Sequence, residues 1–405
     1  MESQQATKPK AARATATRRG SLLEEIVVWE ILVRLPPKPL LRCRAVCRAW
    51  RRITSARDFL LAHHDHQPSL PIFSGHNPWI RGVQRHNILA FDPRAATDGD
   101  RLHAVAQLDD VFYPKASCDG LLLLHKLGSI GSRSRLSICN PATRQHAPLP
   151  GPPWSFSTMG MYPHRPTGEY RLLLQRERCV VADPAPNKNQ TGCYVFTLGS
   201  HQPPRYIGWP ETASWIFNVP VWTHDCLHWY PVYYPESDSN PYDPARGIKF
   251  MVFDTIAESF REMHQPVVSH YSYIFDMGDT LGIYTRDHSA QVVDIRVLQD
   301  YDSEVWDLKY RIKLPVAEIK RWVEDSDDNY NYRDSDVISV DGGVLLLVTV
   351  SEWLFHVVSD GKLVSSFYRG RDGLCMHGCR LKQSLVQHAF FPALEGYAVN
   401  ASPFI

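Results

Sequence analysis

The chain has 405 residues, of which 44% are hydrophobic, and its 44 lysine and arginine residues nearly balance 43 aspartate and glutamate residues. This length allows two domains with a sizeable core, and the net charge of +1 excludes a partner selected by overall charge alone. Because no apolar run approaches the roughly 20 residues of a membrane span, we expect no membrane partner and a cytoplasmic or nuclear location.

Residues 1–20 differ in composition from the rest of the chain. They are rich in Ala, Thr, Lys and Arg, and Glu2 is their only acidic residue. Such a segment buries too little apolar surface to fold, so we predict a disordered tail. An organelle transit peptide or a nuclear signal has a similar composition and is the alternative.

A helix is predicted to begin at Ser21 and to end at Leu35. Ser21 and Glu24 have the spacing of a capping box, in which each side chain bonds an early backbone N–H of the helix. Pro36 and Pro37 then disfavour helical geometry in the residues before them and cannot donate to the helical hydrogen bonds. The pattern therefore gives one helix of about four turns.

Two more short helices should follow, and the three together are unusually apolar. Pro39 suits the first turn of the second helix, and a third is predicted through Val46, Trp50 and Ile53. Apolar side chains cover nearly all sides of the first helix: Leu22, Leu23, Ile26, Val27, Val28, Trp29, Ile31, Leu32 and Val33. A unit of this size has a marginal core, so it must pack against the rest of its chain or against another protein.

The order of residues in this helical region is distinctive. It runs through Leu22, Glu25, Ile26, Ile31, Leu32, Arg34, Leu35, Pro36, Leu40, Leu41, Val46, Cys47 and Trp50. In this order the region resembles an F-box, the module by which substrate receptors bind the Skp adaptor of cullin-RING (SCF) ubiquitin ligases. It departs from the family at Leu22-Leu23, where Leu-Pro is usual, and so lacks a proline that would preset the first turn.

The resemblance implies a set of partners and a set of contact residues. The partners would be the Skp adaptor and, through it, the cullin and RING subunits. The residues expected to contact the adaptor are Leu22, Ile26, Val27, Ile31, Leu32, Leu35, Pro36, Leu40, Leu41, Val46 and Trp50.

Six arginines accompany these helices, at positions 42, 44, 48, 51, 52 and 57. They alternate with apolar residues, as on the solvated face of amphipathic helices, and no nucleic-acid-binding motif accompanies them. We therefore expect no nucleic-acid partner.

Beyond Pro68 the sequence changes to short apolar runs separated by Gly, Pro, Asn and Asp, a pattern typical of strands and tight turns. Apolar runs follow Asp119, Asp225, Asp279 and Asp341, and each is followed by a second strand that ends in an Asp or Asn turn. Turns at 92, 140, 183, 254, 300 and 360 are separated by 48, 43, 71, 46 and 60 residues. Spacings near 40–50 residues are typical of kelch and WD propeller blades. A large β-sandwich or two smaller β domains is the alternative.

Several phrases after residue 115 strengthen this interpretation. They are CDGLLLL at 118, ICNPATRQ at 138, GEYRLLL at 168, YVFTLGS at 194, LHW at 227, VFDTIAESFREM at 252 and VDIRVLQDYDSEVWDLKYRI at 293. Their order resembles the F-box-associated domain of plant F-box proteins, which implies that this region presents a target protein. The loop around Pro163-His164-Arg165-Pro166 departs from the family pattern, which should alter that loop but not the fold.

The sequence therefore predicts an α plus all-β multidomain chain. A disordered tail occupies 1–20, a three-helix F-box module 21–66, and a β-propeller-like domain of about six blades 67–405. The predicted function is that of a non-catalytic substrate receptor of an SCF ubiquitin ligase with an unknown target. The alternatives are a non-degradative propeller scaffold and a glycan-binding or hydrolytic propeller with a vestigial F-box.

Candidate target-binding residues lie in two predicted loops. The loop at 231–247 holds Tyr233, Tyr234 and Tyr242 among prolines, and the stretch 324–336 is acidic and contains tyrosines. Exposed aromatic side chains are common interface anchors, although polar loops are more often simply solvated.

No catalytic residue, metal site or cofactor is predicted. The histidines at 63, 64 and 66 lack further ligands at zinc spacing, and Cys375 and Cys379 lack a second pair. His224 and His228 are expected to share one face of a strand, where ordinary packing explains them. The nine cysteines are expected to be reduced thiols, as is usual inside cells.

Overall fold

The computed structural model describes residues 25–75, 86–126, 135–149, 156–176, 191–208, 216–217, 219–232, 249–266, 272–278, 280–287, 291–323, 334–340, 342–350, 353–368 and 374–405. The chain divides into a helical unit, Met1–Ser69 with Lys382–His388, and a β unit, Leu70–Leu381 with Ala389–Ile405. Within the described residues no helix has the length and apolar character that a membrane crossing requires.

The helical unit consists of short helical segments joined by tight turns. They are a π-helical turn Val27–Ile31, a 3-10 turn Leu32–Arg34, α1 (Pro37–Cys43), α2 (Arg48–Thr54) and α3 (Arg57–His66). Leu35 is extended, with φ −68° and ψ 145°, which confirms the predicted end of the first helix before Pro36. The predicted start at Ser21 lies outside the described residues. Helix α3 was not among the three helices predicted from the sequence, and the π turn occurs where a regular α-helix was predicted.

The strands of the β unit, in chain order, are β1 (Ser69–Gly75), β2 (His86–Phe91), β3 (Leu102–Leu108), β4 (Tyr113–Cys118), β5 (Leu121–Lys126), β6 (Arg135–Asn140), β7 (Gln145–Pro148), β8 (Phe156–His164), β9 (Glu169–Arg176), β10 (Gly192–Thr197), β11 (Arg205–Gly208), β12 (Ile216–Phe217), β13 (Val221–Thr223), β14 (Cys226–Trp229), β15 (Pro231–Val232), β16 (Lys249–Asp254), β17 (Ser259–His264), β18 (Ser272–Asp276), β19 (Leu281–Asp287), β20 (Val292–Asp300), β21 (Val305–Lys313), β22 (Asp334–Val340), β23 (Gly343–Val350), β24 (Trp353–Val358), β25 (Leu363–Tyr368), β26 (Leu374–Lys382) and β27 (Ala398–Val399). Short helices lie between or after them: α4 (Asp98–Arg101), α5 (Val316–Lys320) and a 3-10 turn Phe391–Ala393.

These strands form a six-bladed β-propeller, which confirms the predicted fold class. The blades have the strand orders β26-β1-β2-β3, β27-β7-β6-β5-β4, β11-β10-β9-β8, β13-β14-β16-β17, β18-β19-β20-β21 and β22-β23-β24-β25, numbered here as blades 1 to 6. A two-stranded ribbon, β12-β15, lies outside them. Blade 1 combines strands from both ends of the β unit, which closes the ring and leaves only short edges.

The recurring Asp and Asn turns join the third and fourth strands of the blades. The Asp254 Oδ1 accepts backbone N–H bonds from Ile256 and Ala257, both at 2.8 Å, so the side chain itself closes the turn. Asn140 and Asp300 each accept two backbone N–H bonds in the same way, and Asp92 and Asp360 each accept one, from the residue two positions later. Asp183 lies outside the described residues, and in blade 3 the corresponding turn follows β10 and includes Gly199.

One such turn fastens blade 4 to blade 3. Glu258, in the turn between β16 and β17, has a φ of 50°, which is an uncommon conformation for a residue with a side chain. Its nearly buried carboxylate accepts hydrogen bonds from the Tyr162 hydroxyl at 2.7 Å and from Arg171 at 2.6 Å, and it also pairs with Arg205. Although burial opposes ionisation, these donors hold the pKa of Glu258 below its usual value. The ionic contact therefore stabilises the unusual turn geometry.

The apolar core between blades 3 and 4 surrounds Trp229. This side chain is fully buried. It belongs to a core cluster with Met159, Tyr162, Leu173, Cys193, Val195, Leu227, Met251 and Phe253. The indole N–H donates to the Met159 carbonyl oxygen in β8 at 3.2 Å. Gly160 allows this close approach, since a Cβ there would lie 3.0 Å from Leu227 and 3.1 Å from Pro220. Strand β8 is thereby held against blade 4.

A buried histidine links blade 4 to blade 5. The His228 Nε2 lies 2.8 Å from the Tyr301 hydroxyl, and Nδ1 lies 3.2 Å from the Val221 carbonyl oxygen. His224 stacks on the same tyrosine ring with centroids 4.2 Å apart. It does so from the turn between β13 and β14, with a φ of 52°, so the two histidines share a neighbour but not the strand face that was predicted. Since the carbonyl can only accept, Nδ1 carries the proton and Nε2 accepts from the hydroxyl. Burial lowers the pKa of His228 to about 4.

This histidine should make stability depend on pH. Unfolded histidine titrates near pH 6.5, so between that value and pH 4 the unfolded state binds a proton that the folded state does not. We expect His228 to cost about 2 kcal/mol of stability as the pH falls from 7 to 5. Urea unfolding of the wild type and His228→Gln at both pH values measures this. A loss of equal size in the variant would assign the pH dependence to other groups.

Candidate adaptor-docking surface

The helical unit exposes more apolar surface than is usual for so few residues. Val46 is 66% exposed, Ile26 54% and Ile31 53%. We define the apolar docking surface as the exposed large apolar side chains of this unit: Ile26, Trp29, Ile31, Leu41, Val46 and Leu61. Exposed large apolar side chains are characteristic of protein interaction sites where they gather into a patch.

This exposure follows from the packing of the short helices. A helix places neighbouring residues about 100° apart, so α1 can bury Leu40 while Leu41 points to solvent. In the first segment Val28, Leu32 and Val33 occupy the core. Because this segment is apolar on nearly all sides, the side chains left outside the core are apolar as well.

The residues expected to contact the adaptor fall into several classes of burial. Those exposed are Ile26, Ile31, Pro36, Leu41 and Val46, and those half-buried are Val27, Leu35 and Trp50. Leu32 and Leu40 are buried in the helical unit, with exposures of 3% and 0%. Leu22 lies outside the described residues. Trp29 and Leu61 were not among the expected residues; Trp29 packs on Phe59, with ring centroids 5.5 Å apart, while remaining partly exposed.

Hydrogen bonds hold the helical segments in register beneath this surface. The Leu35 carbonyl oxygen, left without a helical partner by the following prolines, lies 2.8 Å from the His63 Nε2 and accepts from the Gln67 amide at 3.1 Å. Arg44 donates to the Thr54 carbonyl oxygen at 2.6 Å, which ties α1 to the end of α2. Burial lowers the pKa of His63, which disfavours the charged form of the ring. The apolar docking surface thus has a fixed backbone.

The candidate target-binding residues Tyr233, Tyr234 and Tyr242 lie outside the described residues, as does 324–333 of the acidic stretch.

Across the described ranges no group of three or more His, Cys, Asp or Glu side chains is arranged to hold a metal ion. The three clustered histidines of α3 do not form such a group. His377, which lies between Cys375 and Cys379, has its Nε2 atom 2.6 Å from the Ser74 hydroxyl oxygen.

Comparison with known families bears directly on the helical unit. Residues 25–65 match the F-box-like family model. They form an F-box-like module. The matched range begins within the first helical segment and ends in α3, and it includes all six residues of the apolar docking surface. The F-box resemblance is therefore confirmed, and it belongs to a chain whose remainder is a propeller.

Similar proteins extend the resemblance beyond this module. A protein named as an F-box/kelch-repeat protein of Arabidopsis thaliana is 22% identical over 337 residues, which cover 73% of this chain and 73% of that protein. An F-box protein of the same plant is 23% identical over 342 residues, covering 75% of this chain and 72% of the relative. Among solved structures, TolB from Acinetobacter baumannii is 12% identical with a TM-score of 0.43 over 82% of this chain and 72% of its own. Because this TM-score is low, the assignment of six blades rests on the sheets described above and not on the similarity to TolB.

Proposed function

We propose that this chain is the substrate-recognition subunit of an SCF ubiquitin ligase. The F-box-like module would bind a Skp-type adaptor, and the propeller would hold a target protein. The observation that carries the proposal is the apolar docking surface: six large apolar side chains lie exposed within the segment that matches the F-box-like family. Burying such side chains against a partner removes them from water, at about 25 cal/mol per Å² of apolar area.

In this proposal the chain contributes binding and not chemistry. Ubiquitin transfer belongs to other subunits, and the receptor raises the effective concentration of the target near the charged ubiquitin carrier. Leu32 and Leu40, which are buried, support the docking surface from beneath. Direct adaptor contact is assigned to the exposed members, including Trp29 and Leu61.

Reconstitution tests the proposal. The full-length chain, co-expressed with a Skp-type adaptor and then mixed with a cullin–RING pair, should elute as one complex containing all four proteins. Affinity capture from plant cells with and without a proteasome inhibitor should recover the same subunits, and a target should be enriched only with the inhibitor. A folded chain that recovers neither adaptor nor cullin overturns the proposal and favours an independent propeller scaffold.

A further inference from the structure

The F-box-like module has a strongly uneven surface charge. Residues 25–69 contain eight lysines and arginines but only four aspartates and glutamates, although the whole chain is nearly neutral. Arg34 forms an ion pair with Glu30 at 2.8 Å. The Arg44 guanidinium donates hydrogen bonds to the hydroxyl and carbonyl oxygens of Thr54. The excess positive charge therefore lies on the basic residues of this unit other than Arg34, most of which are arginines.

Three of these arginines form one face of α2. Arg48, Arg51 and Arg52 have the i, i+3 and i+4 spacing that places side chains together on a helix, and all three are exposed. Half-buried Trp50 and Ile53 and the fully buried Thr54 occupy the opposite side. We call Arg48, Arg51 and Arg52 the arginine ridge. Within the described residues none of the three has a carboxylate partner.

The ridge borders the apolar docking surface. Val46, the most exposed member of that surface, precedes Arg48 by two residues, so their Cα atoms lie within about 7 Å of each other. Leu41 is followed directly by Arg42, which is also exposed. Positive charges lie close together here. Burial and the positive charge of Arg51 both lower the pKa of Arg44. Repulsion of this kind weakens the free module slightly and is relieved when a partner supplies negative charge.

From this juxtaposition we propose that the arginine ridge steers the chain onto an adaptor whose docking face is apolar at its centre and acidic at its edge. This inference rests on the proposed function and specifies the chemistry of the partner. Charges at the rim of an interface mainly raise the association rate and its salt dependence, while apolar contacts at the centre set the dissociation rate. A nucleic acid fits the surface less well, because phosphates gain nothing from the apolar side chains beside the ridge.

The test compares two triple charge reversals in the full-length chain. One variant is Arg48→Glu, Arg51→Glu and Arg52→Glu. The control is Lys309→Glu, Lys313→Glu and Arg321→Glu, which changes the net charge equally at exposed propeller cations that lack carboxylate partners within the described residues. Association and dissociation rates with a purified Skp-type adaptor are measured by biolayer interferometry at 50, 150 and 500 mM NaCl.

We expect the ridge reversal to lower the association rate at least about tenfold at 50 mM NaCl and to abolish or invert the fall of that rate with added salt, with less than about a threefold change in the dissociation rate. The control should behave like the wild type. Equal association rates for wild type and ridge variant would overturn the inference, as would salt-dependent binding of a single-stranded RNA by the ridge with no effect on the adaptor. If the wild type binds no adaptor at any salt concentration, the proposed function itself fails.

Discussion

Replacing Ile31 and Val46 by aspartate is expected to weaken binding of a Skp-type adaptor at least about 100-fold. Both side chains are more than half exposed, so the substitutions cost the free protein little. In the complex each would bury a carboxylate where an apolar group belongs, and interface anchors lose about 2 kcal/mol or more apiece when disrupted. Because 1.4 kcal/mol is a factor of ten in affinity, two such losses exceed 100-fold. Isothermal titration calorimetry of the full-length chain measures the change.

A matched control separates this effect from a general effect of surface aspartates. Ile256 and Val364 are exposed to 47% and 48% on the propeller, and Ile256→Asp with Val364→Asp should leave the adaptor affinity within about twofold. Circular dichroism should show unchanged unfolding transitions for both double variants. Retention of wild-type affinity by the Ile31/Val46 variant would contradict the assignment of the docking surface.

Trp229→Ala should lower the free energy of unfolding of the propeller by about 4 kcal/mol. The substitution removes the indole ring of the largest fully buried side chain between blades 3 and 4. Large-to-small changes of this kind cost about 3–5 kcal/mol of stability. It also removes the donor to the Met159 carbonyl oxygen. Urea denaturation followed by far-ultraviolet circular dichroism gives the difference.

Trp229→Phe separates the two contributions to that loss. It keeps most of the apolar contact and loses the indole N–H, so we expect a smaller destabilisation of about 1–2 kcal/mol. If alanine and phenylalanine destabilised equally, packing between the blades would not be the main role of this side chain. A loss below about 1 kcal/mol for the alanine variant would show that the interface rearranges to fill the space.

The turn residues explain why the propeller could be predicted from sequence. Asp254 and Asp300 close their turns with their own carboxylates, and Asp119 and Gly120 adopt the positive φ values of 48° and 84° that a tight hairpin requires. These are local interactions, so the residue types mark the turns without any knowledge of distant contacts. The repeat of such turns was enough to indicate six blades.

The docking surface could be predicted only in outline. Spacing and the order of residues identified the module, and the prolines after Leu35 identified the end of the first segment. Periodicity could not divide that segment into inside and outside, because nearly every position is apolar and the π turn shifts the faces. The burial of Leu32 and the partial exposure of Trp29 against Phe59 depend on how α2 and α3 pack against the first segment.

The sequence alone determined the elements whose chemistry is local: the helix stop at Leu35, the Asx turns and the alternation of apolar runs with turns. Tertiary structure decided the contacts between residues far apart in the chain, such as Glu258 with Tyr162 and Arg171, and His228 with Tyr301. It also decided which apolar side chains of the F-box-like module remain exposed. The reason is physical: a turn is closed by atoms a few residues apart, whereas burial depends on neighbours that only the folded chain brings together.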